Sequence, residues 1–141
     1  MKIILFLTLS LFALGGFNIA IADTCGGGLP KLITADIKTL LNGNTVCTSD
    51  SQEQHRGGVE SGGVLSGQLW DYKRGSDPID QTSQVGSWSV SNDKVRYTYG
   101  SSNFDNDVYS DGTNVCFDNG TTKISATKMG GTSGPCPGFP E

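Results

Sequence analysis

The stretch Val85-Gly-Ser-Trp-Ser-Val-Ser-Asn-Asp-Lys-Val-Arg-Tyr-Thr-Tyr99 decides the fold that the sequence predicts. In its second half Val95, Tyr97 and Tyr99 alternate with polar residues, which is typical of a strand with one buried face. The first half alternates in the same way around Trp88, and an Asn-Asp pair between the halves predicts a tight turn. The stretch therefore predicts two antiparallel strands joined as a hairpin.

The same period-two pattern recurs on both sides of this hairpin in short segments about ten residues apart. Such spacing is typical of an antiparallel barrel or sandwich. Short turns favour an up-and-down path, so the sequence predicts a mainly β, lipocalin-like barrel of seven or eight strands. Residues 52–63 are polar and rich in glycine, and we expect a strand edge followed by a loop there. The other predicted strands are residues 45–48, 64–73, 85–91, 95–99, 104–109, 114–117 and 123–128.

One helix is predicted ahead of the strands, over residues 30–41. Pro30 suits a first helical position, and apolar residues recur every three or four positions up to Leu41. The Asn-Gly pair that follows is a plausible helix end. The tail from residue 130 is rich in glycine and proline, and we expect it to lie over the surface.

The first 22 residues predict a signal peptide. Lys2 gives a positive start, residues 3–17 are nearly all apolar, and Ala20-Ile21-Ala22 matches the pattern that signal peptidase cleaves. Residues 23–141 would then form one domain, secreted or periplasmic, soluble after cleavage and monomeric. The net charge of −4 makes nucleic acid a poor partner, and no later run is long and apolar enough to span a membrane.

Four cysteines fit two disulfides in an oxidising compartment: Cys25, Cys47, Cys116 and Cys136. Four cysteines allow three connectivities. We favour sequential pairing, Cys25–Cys47 with Cys116–Cys136, over the rival that joins Cys25 to Cys136 and Cys47 to Cys116. With one histidine in the chain and no Cys-x-x-C, we expect no metal site, no redox site and no cofactor.

Taken in order, four segments resemble a group of small secreted or periplasmic proteobacterial proteins without an established function. The resemblance implies an exported bacterial protein of compact β fold and brings no catalytic residue. More loosely, Gly86-Ser87-Trp88 is similar to the Gly-x-Trp of lipocalins, although there it lies on the first strand. The four segments are Leu40-Leu-Asn-Gly-Asn-Thr-Val-Cys47, Gln52-Glu-Gln-His-Arg56, Gln68-Leu-Trp-Asp-Tyr-Lys-Arg-Gly75 with Ser76-Asp-Pro-Ile-Asp80, and Val85-Gly-Ser-Trp-Ser-Val-Ser91 with Val95-Arg-Tyr-Thr-Tyr-Gly100.

The candidate ligand contacts are Trp70, Tyr72, Arg74 and Trp88. If the core takes the aromatic side chains, Trp70 and Tyr72 point inward and Asp71 points out. Arg74 could then bind an anion at the barrel mouth. The competing interpretation is an aromatic plug, because small barrels usually fill their interior with side chains. The eight aromatic residues on predicted strands favour the plug and leave little room for an open cavity.

Other chemistry has weaker support. His55 would have to supply the base of a hydrolase, but no Gly-x-Ser-x-Gly elbow occurs, so a surface histidine is the simpler interpretation. The chain is small for a glycosidase cleft built on carboxylates such as Glu53 and Glu60. The aspartates 105, 107 and 111 do not match an EF-hand order, and turn formation explains them more simply.

The sequence therefore predicts a non-enzymatic protein that binds a small ligand or a protein partner. An inhibitor of another enzyme is the alternative, with residues 74–84 or the tail 130–141 as the inserted segment. A small hydrolase using His55 or Asp71 is the third hypothesis.

Overall fold

Eight antiparallel strands and one short helix form the part of the chain that this computed structural model describes, which is Cys25, residues 27–72 and residues 81–137. Each strand pairs with its neighbours in sequence, and the last pairs with the first, so the sheet closes into a barrel. The predicted antiparallel barrel with one helix is confirmed. The elements are α1 (Thr34–Leu41), β1 (Asn44–Cys47), β2 (Gln52–Ser61), β3 (Val64–Asp71), β4 (Ser83–Ser91), β5 (Lys94–Tyr99), β6 (Ser102–Ser110), β7 (Asn114–Asp118) and β8 (Lys123–Gly130).

The predicted turn between β4 and β5 is confirmed, and it also holds the start of α1. Asn92 and Asp93 have positive φ angles of 51° and 57°, as a two-residue hairpin loop with matching twist requires. The Asp93 carboxylate accepts hydrogen bonds from the backbone N–H and the hydroxyl of Thr34, at 2.7 and 2.8 Å. The hairpin therefore caps a helix that has no cap of its own.

The helix α1 is shorter than predicted, because residues 30–32 pair with β6 instead. Lys31 forms a bridge with Tyr109, and the backbone N–H of Leu32 donates to Val108 at 2.8 Å. From Thr34 onward the apolar face is as predicted, and Ile37 and Leu41 are fully buried. The helix closes one end of the barrel.

The polar segment expected to be a strand edge and loop is a ten-residue strand, β2. Its register with β3 shifts between Arg56 and Val59, where Gly57 has a φ of +62°. A register shift of this kind is a β-bulge, which bends the strand locally. Neither face is apolar, since the inward face carries Glu53 and His55, so hydrophobic alternation could not reveal the strand.

All four cysteines are paired, but neither predicted connectivity is correct. The disulfides join Cys25 to Cys116 and Cys47 to Cys136, with Cα atoms 5.1 and 5.9 Å apart. Because residues 30–32 pair with β6, Cys25 lies beside β7 rather than beside β1. The chain leaving β8 crosses β1, which brings Cys136 to Cys47.

The tail covers the outer face of β1 and β2, in agreement with its expected place over the surface. The Thr45 hydroxyl donates to the Gly131 carbonyl at 2.7 Å, and the backbone N–H of Cys136 donates to the Gln52 side chain. Gln52 and Gln54 are fully buried beneath it. The described part of the tail, up to residue 137, therefore lies across β1 and β2 and contacts both strands.

Candidate functional site

The end of the barrel opposite α1 holds a cavity of about 400 Å³, which we call the mouth. Three turns surround it, those joining β1 to β2, β5 to β6 and β7 to β8. This corrects the expectation that aromatic side chains leave little open space. The lining residues are Val46, Thr48, Asp50, Ser51, Glu53, Tyr97, Tyr99, Phe104, Asn106, Phe117, Asn119 and Ile124.

Aromatic rings form much of the mouth wall. Tyr97 and Phe117 meet edge to face with ring centroids 5.8 Å apart, and Tyr99 meets Phe104 in the same way at 6.1 Å. Phe104 and Ile124 stand at the rim, each 45% exposed. Such edge-to-face pairs hold ring positions, so the wall is a largely preformed apolar surface.

Two carboxylates interrupt this surface, that of Asp50 in the turn between β1 and β2 and that of Glu53. The Tyr99 hydroxyl donates a hydrogen bond of 2.5 Å to the Oε1 atom of Glu53. Asp71 is the register partner of Glu53 on β3. Burial raises the pKa of Glu53 above its usual 4.5, the Tyr99 hydrogen bond opposes that rise, and the charge of Asp71 adds to it. Burial and the Glu53 charge also raise the pKa of Tyr99.

Tyr97 connects the mouth wall to two rings buried behind it, those of His55 and Trp88. His55 Nε2 and the Tyr97 hydroxyl are 2.9 Å apart, and the His55 ring meets Trp88 at 5.4 Å between centroids. Nδ1 of His55 is buried without a hydrogen bond of ordinary geometry. The interpretation of His55 as a surface histidine is therefore wrong. Its hydrogen-bonded side-chain partner is a tyrosine, not the serine or carboxylate of a hydrolase triad.

The structure does not bring the three described ligand contacts, Trp70, Tyr72 and Trp88, together at the mouth. Trp70 was expected inside, but it lies on the outer face, where its indole N–H donates to Gln68 at 3.0 Å and the Arg56 guanidinium sits 4.8 Å from the ring centroid. Leu69 takes the inner position at that level and is fully buried. Tyr72 follows the end of β3 and does not line the mouth.

Of the other two predicted contacts, Trp88 does not line the mouth. Trp88 is 1% exposed in the core, and its indole N–H donates to the Gln68 carbonyl at 3.1 Å. Arg74 lies outside the described residues. Sequence reasoning missed Glu53, Tyr99 and Phe104 as mouth residues. The alternation along β5 indicates the inner face for Tyr99, whereas the polar pattern of β2 does not mark Glu53.

The aspartates considered for calcium have structural roles. Arg96 binds Asp105 through two contacts of 2.7 and 2.8 Å, and Asp107 lies 2.7 Å from Lys94 and 3.1 Å from Lys31. Across the described ranges, no group of three or more His, Cys, Asp or Glu side chains could hold a metal ion.

Burial gives His55 a measurable pH effect. Burial lowers its pKa from 6.5 to about 4, against smaller opposing effects of the Asn44 and Glu53 backbone. The unfolded chain therefore binds this proton first, and stability is lost as the pH falls from 6.5 to about 4. By linkage we expect this histidine to contribute a loss of about 3 kcal/mol across that window.

Proton NMR of the single histidine tests this expectation directly, because its ring signals are unambiguous. We expect no titration of the folded protein above about pH 5, together with a falling urea midpoint from pH 7 to pH 4.5. Glu53 opposes the trend, since its raised pKa favours the folded state as the pH falls. An ordinary titration near pH 6.5 would contradict the burial argument.

No known protein family matches the chain, and comparison with curated proteins and with solved structures finds no match. Among the described residues, no helix is long and apolar enough to cross a membrane.

Proposed function

We propose that this chain is an exported, non-enzymatic barrel that binds a small, partly apolar ligand in the mouth. The cavity carries this proposal. Its volume of about 400 Å³ lies within the range of small-molecule sites, roughly 300–1,000 Å³. Its wall combines aromatic and aliphatic side chains with polar ones such as Glu53 and Asn106, and ligand pockets use such polar groups to orient a bound molecule. Export is supported by the apolar start of the sequence and by the two disulfides.

Binding of N-phenyl-1-naphthylamine, an uncharged fluorophore that brightens in apolar surroundings, tests the mouth. We expect saturable binding by the wild-type protein. Phe104→Ala removes an aromatic wall residue that is 45% exposed, so it should weaken binding by roughly five- to tenfold. Thermal unfolding should change little, because the ring is only partly buried.

The matched control is Val59→Ala. Val59 is 67% exposed and lies near the turn joining β2 to β3, at the helix end of the barrel. It should leave fluorophore binding unchanged. Equal weakening by both variants, or no binding by the wild-type protein, would overturn the assignment of the mouth as a ligand site.

A further inference from the structure

We propose that the ligand of the mouth carries an ammonium group, which Glu53 binds while the apolar wall holds the rest of the molecule. This inference rests on the proposed function and adds a ligand class to it. It is carried by the position of the Glu53 carboxylate among the aromatic rings of the mouth.

The first observation is that Glu53 has no cationic partner among the described residues. Its hydrogen bond comes from the Tyr99 hydroxyl, which engages Oε1. No basic side chain is among the described lining residues of the mouth, where Asp50 adds a second acid. A carboxylate removed from water without a cation is unfavourable, so a cationic ligand would gain by supplying the missing charge.

The second observation is the contrast with carboxylates elsewhere on the barrel. Glu60, on the same strand, lies 2.5 Å from the Lys38 ammonium group. Asp105 and Asp107, on β6, are also paired with basic side chains. These three acids are thus neutralised by basic side chains, whereas Glu53 has no basic partner among the described residues and lies opposite Asp71 in register.

The third observation is the chemistry of the wall. Four rings line the mouth, and the faces of aromatic rings attract cations. The same rings give an apolar ligand body a surface on which to pack. The hydrogen bond from Tyr99 fixes the carboxylate at Oε1 and leaves Oε2 without a donor among the described residues. A molecule with an apolar body and one ammonium group satisfies both parts of the site. The rings are those of Tyr97, Tyr99, Phe104 and Phe117.

Three probes of similar size and different charge test the inference: 2-phenylethylamine, 2-phenylethanol and 3-phenylpropanoate. Affinities are measured by isothermal titration calorimetry at pH 7. We expect the amine to bind at least tenfold more tightly than the alcohol, and the propanoate to bind most weakly. The expected ratio reflects an ion pair with Glu53 that the alcohol cannot form, and a tenfold ratio corresponds to about 1.4 kcal/mol.

Glu53→Gln removes the charge and keeps the shape, so the amine should bind that variant no better than the alcohol. Glu60→Gln is the matched control, since it makes the same change on the same strand at the helix end of the barrel. It should keep the full preference for the amine. A preference that survives Glu53→Gln would overturn the role of Glu53.

The wild-type protein supplies a second test that needs no variant. Amine affinity should rise with pH through the raised pKa of Glu53, because only the ionised carboxylate pairs with the ammonium group. Among the described residues, the other titratable groups that line the mouth or face Glu53 are Asp71, Asp50, Tyr97 and Tyr99, with His55 behind Tyr97. The Asp118–Lys123 ion pair flanks the nearby turn between β7 and β8. The alcohol should show no such rise.

The outcomes separate this inference from the proposed function. If the naphthylamine fluorophore binds in a Phe104-dependent way while the amine shows no preference over the alcohol, the ammonium inference is wrong and the ligand-binding mouth stands. If neither the fluorophore nor any of the three probes binds, both proposals are wrong.

Discussion

Removing the Cys47–Cys136 disulfide with the double change Cys47→Ala and Cys136→Ala is expected to lower the free energy of unfolding by about 4–5 kcal/mol. The two cysteines are 89 residues apart in sequence, so the bond strongly restricts the unfolded chain. Both side chains are also buried, and the bond holds the tail over Gln52. Urea unfolding of the oxidised protein measures the loss.

The other disulfide is a close control, because Cys25 and Cys116 are 91 residues apart. Chain entropy predicts nearly the same loss for Cys25→Ala with Cys116→Ala. Any excess loss for the Cys47–Cys136 pair then measures what the tail contributes by covering β1 and β2. A clearly smaller loss for Cys47–Cys136 than for Cys25–Cys116 would show that the tail packing adds no stability.

Replacing Trp88 with alanine is expected to cost about 3–5 kcal/mol, the usual range for an aromatic side chain lost from a core. Trp88 is 1% exposed, contacts His55 edge to face and donates a hydrogen bond to the Gln68 carbonyl. Its space is made by Gly67, where an added Cβ would lie 2.9 Å from the indole nitrogen. Alanine would leave a cavity that this closed sheet has little freedom to fill.

Trp70→Ala is the matched control for the loss of a tryptophan. Trp70 is half-buried on the outer face under the Arg56 guanidinium, a contact worth about 0.5–1 kcal/mol at exposed sites. In chemical unfolding, the Trp70→Ala variant should therefore keep a clearly higher free energy of unfolding than the Trp88→Ala variant. Equal losses would contradict the assignment of Trp88 to the core and Trp70 to the outside.

The barrel could be predicted from sequence because most of its strands carry a clear inward apolar face. On β5 the buried Val95 and Tyr97 alternate with exposed polar residues. The strand β2 lacked that signal, since its inward face carries Glu53 and His55 and its outward glutamines are covered by the tail. A polar strand buried on both sides has no hydrophobic period for sequence analysis to detect.

The candidate site was harder to predict for a geometric reason. Alternation shows which residues share a face of β3, but it does not show which face is inside. Placing the largest rings inside put Trp70 in the core, whereas the structure places Leu69 there, opposite the buried His55 in register. The pairing of the cysteines depends on which strands the two chain ends cross, and spacing along the sequence does not contain that information.

The seam, where β1 pairs with β8, determines the order in which we expect the strands of this barrel to pair during folding. The other seven pairings join consecutive strands, but the seam joins residues such as Val46 and Lys128 from opposite ends of the domain. Closing so long a segment carries the largest entropic cost, so we expect the hairpins to form first and the ring to close last. We expect Cys136 to reach Cys47 only after β8 has paired with β1. Oxidation of this pair would then covalently hold the completed barrel closed.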